Sequence, residues 1–510
     1  MSQLPTAVSF RHWVWKDREN RILMILTLIL SAGSFVLLKI IYPFPNFLPD
    51  SYSYLTAAYN NQSINMWPIG YSMFLRLFSS LTRSDTALVL TQYLLLQASL
   101  LYFLFTIRYW LNPAKWVFRI ILFSCVSNPL SPLVSNFVAS DALFTALSII
   151  WLAQLLTISL RPTVNLLIRH AVILVLAIMV RHNALYYPLV SFACIGFTAM
   201  PLKARLIGWA TILLLVGGSV GQSIYRYREL TGKAQFSAFG GWQLASNALY
   251  GYAYSGHPDP VNALPQGLQS LHQLVNHHMD SVKRLSNRPD QEPGIYYLWD
   301  DKAPLKEYLR QKWAMDTITD DFSKWASMGP LYASYGTWLI RHHPGDYISR
   351  FLWPNIVRYY TPDPEFLHSY NMGSDSVEEI ARFWFHFKTR KVRSGAKDLP
   401  FISAFPITLA LINLLFVLAF IGFAWLGGFR DTCIPFRRTL SWVAIVWLAN
   451  MGFSVLASPI VLRYQLFPML FTFIFTALLL GYVVHKSNSH STLQPSNLSH
   501  ETRDSDIAFN

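Results

Sequence analysis

Charge is scarce in this chain. Only 13% of its 510 residues are Asp, Glu, Lys or Arg, while 53% are hydrophobic. Soluble domains carry about a quarter charged residues, so this composition excludes an ordinary soluble protein. Several apolar runs approach or exceed the ~18 residues that cross a bilayer, and the chain reads as an all-α polytopic membrane protein. Cysteine is scarcer still, with three in all. Cys125 and Cys194 fall in apolar runs and Cys433 in a short basic loop. No pair is placed for a disulfide and no metal-ligand spacing appears. Histidines cluster only in "NHHMD" (276–280) and "RHHPGDYISR" (341–350), so neither a metal nor another cofactor is expected. An internal repeat is also missing, which weighs against many transporter folds.

What is present is an uneven distribution of basic charge. The net charge is +14, a value that by itself suggests a polyanionic partner. Residues 223–399, however, carry 20 Lys+Arg against 18 Asp+Glu, and the remainder carries 21 against 9. The excess therefore sits in short loops between apolar runs, which is the positive-inside pattern and implies no nucleic acid. Ten spans are predicted, at 22–42, 86–107, 117–135, 141–160, 167–180, 184–200, 206–222, 402–426, 440–457 and 465–484. With the N-terminus in the cytoplasm, fifteen basic residues fall inside and four in the short outer segments. Both termini are then cytoplasmic. The first twenty residues are polar and basic and no small-residue cleavage site follows, so the first span reads as a signal anchor.

This layout divides the chain into four parts. Residues 1–222 form a transmembrane module with a first outer loop at 43–85. Residues 223–399, too long for an unstructured connection, form an extracytoplasmic domain between spans seven and eight, either mixed α/β or mainly helical. Residues 400–485 hold the last spans, and 486–510 form a disordered cytoplasmic tail.

The ionisable residues that abut spans nearly all fall at the outer boundary. Asp50 follows span one, Asp141 opens span four, Arg181 and His182 separate spans five and six, and Arg463 and Tyr464 precede span ten. Charged groups at membrane depth are costly and usually face a cavity. Acids handle protons and arginines hold phosphate through paired donors. Each residue also has a plainer role: helix capping for Asp50 and Asp141, snorkelling for Arg181 and Arg463, and interfacial packing for His182 and Tyr464. The aromatic run Tyr52, Tyr54, Tyr59, Trp67 and Tyr71 reads mainly as interfacial. The segment "GIYYLWDDKAPLKEYL" (294–309) reads as a packed amphipathic stretch, with contact to an acceptor as the alternative.

The order "PDSYSYL", "WPIGYSMFL", "SDALFTAL", "VRHNALYYP", a large outer block opening "FSAFGGWQLASNALYGYA", and "LRYQLFP" resembles the GT-C superfamily of integral-membrane glycosyltransferases. The likeness is greatest to bacterial relatives of dolichyl-phosphate-mannose protein mannosyltransferases and aminoarabinose transferases. The resemblance implies a GT-C-like fold and transfer of a sugar, with inversion, from a polyprenyl-phosphate carrier to a lipid, glycan or protein acceptor at the outer face of the cytoplasmic membrane. It makes Asp50 the catalytic carboxylate, serving as base or positioning the acceptor, and Asp141 a second acidic candidate. Arg181, Arg463 and Tyr464 then hold the donor phosphate, with His182 and Tyr54 in support. Many members carry paired acids in the first loop; here Ser51 follows Asp50, and no metal is expected. Other readings are an O-antigen ligase or polymerase using Arg341 and His343, a lipid-linked glycan transporter or flippase, and a noncatalytic assembly protein.

Overall fold

Long runs of Leu, Ile, Val, Phe and Ala with few charges satisfy their backbone groups in lipid only as helices. The computed structural model, which describes residues 9–256 and 258–491, has that character: it is helical, with isolated β-bridges and no strands among the described residues. Eight helices among them are long and apolar enough to cross a membrane. They are Arg18–Ile41, Asp85–Leu111, Lys115–Ser135, Asp141–Leu160, Leu202–Thr231, Pro400–Trp425, Ile434–Ala457 and Leu462–Val484. The chain is a polytopic membrane protein. Burial sorts these helices. Asp141–Leu160 has 72% of its apolar stretch buried and forms the centre, whereas Arg18–Ile41 and Leu202–Thr231 bury 17%. Their exposed Ile29, Leu37, Leu213 and Leu214 suit a hydrocarbon surround.

The other two expected spans are shorter than these eight. Val164–Val180 has 17 residues. A 3-10 turn follows at His182–Tyr186 and then a helix, Tyr187–Gly196, of 10 residues, or about 15 Å at 1.5 Å per residue. The polar Arg181-His182-Asn183 step separates the two helices, and Gly196 ends the second. Ser191 ties this hairpin to the centre, its hydroxyl accepting from the Trp151 indole at 3.0 Å and lying 2.8 Å from His170 Nε2.

The block at 223–399 divides between two cores. Trp242, Tyr250, Leu271, Tyr297, Trp325, Tyr332 and Phe351 build a separate one. There the helices Ala238–Tyr252 and Gly329–His342 touch through glycines: a Cβ on Gly241 would lie 1.9 Å from the Gly329 carbonyl oxygen. Tyr359, Leu367, Tyr370, Trp384 and Phe385 instead join the core of the apolar helices. Of the expected tail, residues 486–491 continue the last helix, Leu466–Ser491, and 492–510 lie outside the described residues. All three cysteines are free.

Candidate functional site

The helix Arg18–Ile41 ends at Tyr42, and an extended segment carries the chain to Pro49, which opens the helix Pro49–Tyr59. Proline suits that position because its missing N–H would be unsatisfied anyway. The approach is fixed on both sides. Asn46 donates its backbone N–H to Asn136 at 2.9 Å, and the Phe47 N–H donates to the Asn371 side chain at 3.1 Å. Ser51 closes the first turn by accepting from the Leu48 N–H at 2.8 Å. Asp50 is thus in the first turn but is not spent as a cap; its carboxylate faces a cavity.

That cavity has a volume of about 970 Å³ and brings together every residue singled out at the boundary except Asp141. Asp50, Tyr54, Arg181, His182, Arg463 and Tyr464 all line it. Asp141 lies just behind, buried at the start of its helix. It bonds Arg181 Nη1 through Oδ1 and accepts from Arg463 Nη1 through Oδ2 at 3.2 Å. One buried carboxylate therefore orients two guanidiniums. Both lie over the Tyr464 ring, at 4.0 Å for Arg181 and 4.5 Å for Arg463, so Tyr464 serves as a shared aromatic floor.

Arg463 has two further acidic neighbours. Its Nε donates to Glu365 at 3.0 Å and its Nη2 lies 4.0 Å from Asp50. Glu365 comes from the 223–399 block and was not expected. It sits in the left-handed region at φ 49°, a conformation that costs energy for a non-glycine residue and tends to occur at functional sites. The loop carrying it is pinned beside Arg463, since Leu462 donates its N–H to the Asp363 carbonyl at 2.8 Å. The only sequence signal is a pair of acids flanking Pro364, in "TPDPEFL".

Asp50 is the least committed of the three carboxylates: its side chain is 25% exposed, against 3% for Asp141, and the 4.0 Å approach to Arg463 is its only ion pair among the described residues. Burial pushes the Asp50 pKa up, with Arg463 and Arg181 partly opposing. Burial likewise raises that of Glu365 against the pull of Arg463. For Arg181 burial acts to lower the pKa, but the Asp141 carboxylate, Tyr464 and Tyr54 together outweigh it and the guanidinium is held above its usual value. His182 packs against Phe236 with ring centroids 4.7 Å apart, and burial drops its pKa to about 4. It is a neutral wall. Tyr54 shares a hydrogen bond with Ser140 at 3.1 Å and packs edge-on against Tyr71, which ties the loop helix to the start of Asp141–Leu160.

The remaining walls differ in character. Leu185, Phe453, Leu456 and Ala457 give an apolar side formed by helix ends, while Gln243 and Asn247 come from the separate core's first helix. The Gln243 Oε1 is buried without a partner among the described residues. Neither Arg341 nor His343 lines the cavity; His343 pairs with Asp259 at 2.5 Å. Among the described residues no group of three or more His, Cys, Asp or Glu is placed to hold a metal ion. No protein-family model matches this chain, and neither a curated protein nor a solved structure matches it.

Proposed function

We propose that the chain is a polyprenyl-phosphate-dependent glycosyltransferase of GT-C type, working at the outer face of the cytoplasmic membrane with its 223–399 block extracytoplasmic and with ten membrane segments once the short hairpin is counted. One observation carries the reading. Three segments far apart in sequence bring one lightly committed carboxylate, Asp50, and two aligned guanidiniums, Arg181 and Arg463, to a single cavity with an apolar wall. A lipid phosphate linked to a sugar needs those three features together.

In this mechanism the lipid chain lies against Leu185, Phe453 and Leu456, and its phosphate replaces part of the carboxylate contact around Arg463. An acceptor hydroxyl or amine attacks the sugar's C1 while Asp50 takes its proton. The C1–O bond to phosphate breaks, and the electron pair leaves with polyprenyl phosphate, stabilised by Arg181 and Arg463. Asp141 does not touch the reacting atoms; it positions both arginines. The raised Asp50 pKa makes it a stronger base than an ordinary carboxylate.

The test is release of polyprenyl phosphate from a panel of carrier-linked sugars, with cell-envelope extract as acceptor source. Wild type is expected to turn over at least one donor. Asp50→Asn should fall by about 100-fold or more with an unchanged melting temperature. An Asp50→Asn variant as fast as wild type would remove Asp50 from the mechanism.

A further inference from the structure

The run "KTRKVRSGAK", residues 388–397, holds five Lys and Arg and no acid. The 223–399 block carries 20 Lys+Arg against 18 Asp+Glu, so with this run set aside 15 remain against 18. The positive excess of the block is thus confined to ten positions.

A basic run in a free loop is merely solvated, but the backbone of this one is held. Val377 donates its N–H to the Arg390 carbonyl at 2.9 Å, Val392 to that of Asp375 at 2.8 Å, and Tyr370 to that of Lys397 at 2.7 Å. The run therefore lies as an extended strap along residues 370–377, with Val392 buried. Gly395 seats it on the end of the first long apolar helix, Arg18–Ile41. Its N–H donates to the Ile41 carbonyl at 2.6 Å, and a Cβ there would lie 3.1 Å from the Ile40 carbonyl oxygen. Three residues beyond Lys397, or about 11 Å of chain at most, Pro400 opens the next long apolar helix, Pro400–Trp425. The strap joins the ends of two helices of membrane-crossing length, beside the exposed side chains of Ile40 and Phe401.

Its cations are free. Lys388, Lys391, Arg393 and Lys397 are exposed, and none makes a side-chain hydrogen bond or ion pair among the described residues. The flanking acids are engaged elsewhere: Glu379, the last before the run, pairs with Arg382, and Asp398, the first after it, accepts from the Ser369 hydroxyl at 2.6 Å. Orientation does not account for the run either, because on the proposed outer side a basic segment beside a span opposes the positive-inside bias. Attraction to a charged membrane surface fades within a Debye length, about 8 Å at physiological salt. A strap fixed at helix ends keeps its cations within that range.

We propose that residues 388–397 dock anionic phospholipid headgroups at the membrane face beside the end of Arg18–Ile41. Lys391, Arg393 and Lys397 meet the lipid phosphates, while Ile40 and Phe401 lie against the acyl chains. This assignment is independent of the transferase reading.

The experiment uses the full chain without Cys125, Cys194 and Cys433, labelled with bimane at Thr389→Cys, an exposed position inside the strap, and reconstituted in phosphatidylcholine vesicles. Brominated phosphatidylglycerol or brominated phosphatidylcholine is the quencher, so the readout reports on lipid at this site and not at other basic loops. Phosphatidylglycerol is expected to associate about tenfold or more strongly than phosphatidylcholine, with a preference that weakens as salt rises. The combined Lys391→Gln, Arg393→Gln and Lys397→Gln variant should bring the ratio near one. Lys283→Gln, Arg284→Gln and Lys302→Gln together, which remove the same charge from exposed positions of the same block, should leave it unchanged. Both variants are expected to keep the wild-type melting temperature. Equal quenching by the two lipids, a preference that survives the strap substitutions, or one lost equally in the second variant overturns the proposal. Release of the lipid by inorganic phosphate at matched concentration also overturns it, since the strap would then be a site for soluble phosphate.

Discussion

At the residue scale, two acids that look alike in the sequence do different work. Asp50 and Asp141 each lie in the first turn of a helix, and neither "LPDS" nor "VASD" shows which of them is held by an ion pair. The distinction arises from partners that lie far away: Asp141 is locked between Arg181 and Arg463, and Asp50 is not. Removing one member of a buried ion pair strands the other charge and typically costs 3–5 kcal/mol. Asp141→Ala is therefore expected to lower stability by about that much in a thermal or denaturant melt, whereas Asp50→Asn should leave the melt nearly unchanged while abolishing turnover. A comparable melt for both variants would contradict this division. The Asp50 carboxyl also sets a pH dependence. Its pKa is raised above the ordinary 3.8, and a base acts in its deprotonated form, so the rate should hold at higher pH and fall on acidification through a midpoint above 3.8. A pH–rate profile whose acid limb lies at or below that value would show that Asp50 is not the titrating base. The sequence placed Asp50, Arg181, Arg463 and Tyr464 at one boundary because charges beside apolar runs stand out. Glu365 was not legible, since it belongs to a polar loop where an acid carries no such contrast.

At the element scale, the hairpin that delivers Arg181 depends on a close backbone approach. Gly70 begins the helix Gly70–Ser79, and a Cβ there would lie 2.6 Å from both the carbonyl carbon and oxygen of Met179. The obstacle is backbone and cannot rotate away. Gly70→Ala is expected to destabilise the protein by about 1–3 kcal/mol and to cut turnover, because Met179 is two residues from Arg181. Gly33→Ala, with nothing within 4 Å of the added Cβ, is the control and should do neither. The eight long helices were readable from their apolar runs. The hairpin was readable only as two apolar stretches, since hydropathy alone does not show that Tyr187–Gly196 stops after 10 residues.

At the scale of the whole molecule, the sequence treated 223–399 as one appended block, but the chain divides it. Aromatic residues up to Phe351 close their own core, while Tyr359 to Phe385 pack with the apolar helices and carry Glu365 to Arg463. Apolar and aromatic content is high on both sides of that division, so composition offered no boundary. The proposed orientation rests on the charge bias and has a direct check. In a background lacking the three native cysteines, Lys302→Cys should react with a membrane-impermeant maleimide in intact cells, and Arg430→Cys should not. The opposite pattern would invert the topology and place the cavity in the cytoplasm.

The cluster around Arg463 also has a thermodynamic consequence. Three carboxylates face two guanidiniums, so the fully ionised cluster carries one net negative charge before any phosphate arrives. An anion entering that cavity adds to the imbalance, and the cheapest correction is a proton on a carboxyl whose burial already favours the neutral form, as for Glu365. Carrier binding should then draw protons from solution. Its apparent calorimetric enthalpy would change with the ionisation enthalpy of the buffer, and Glu365→Gln would flatten that dependence.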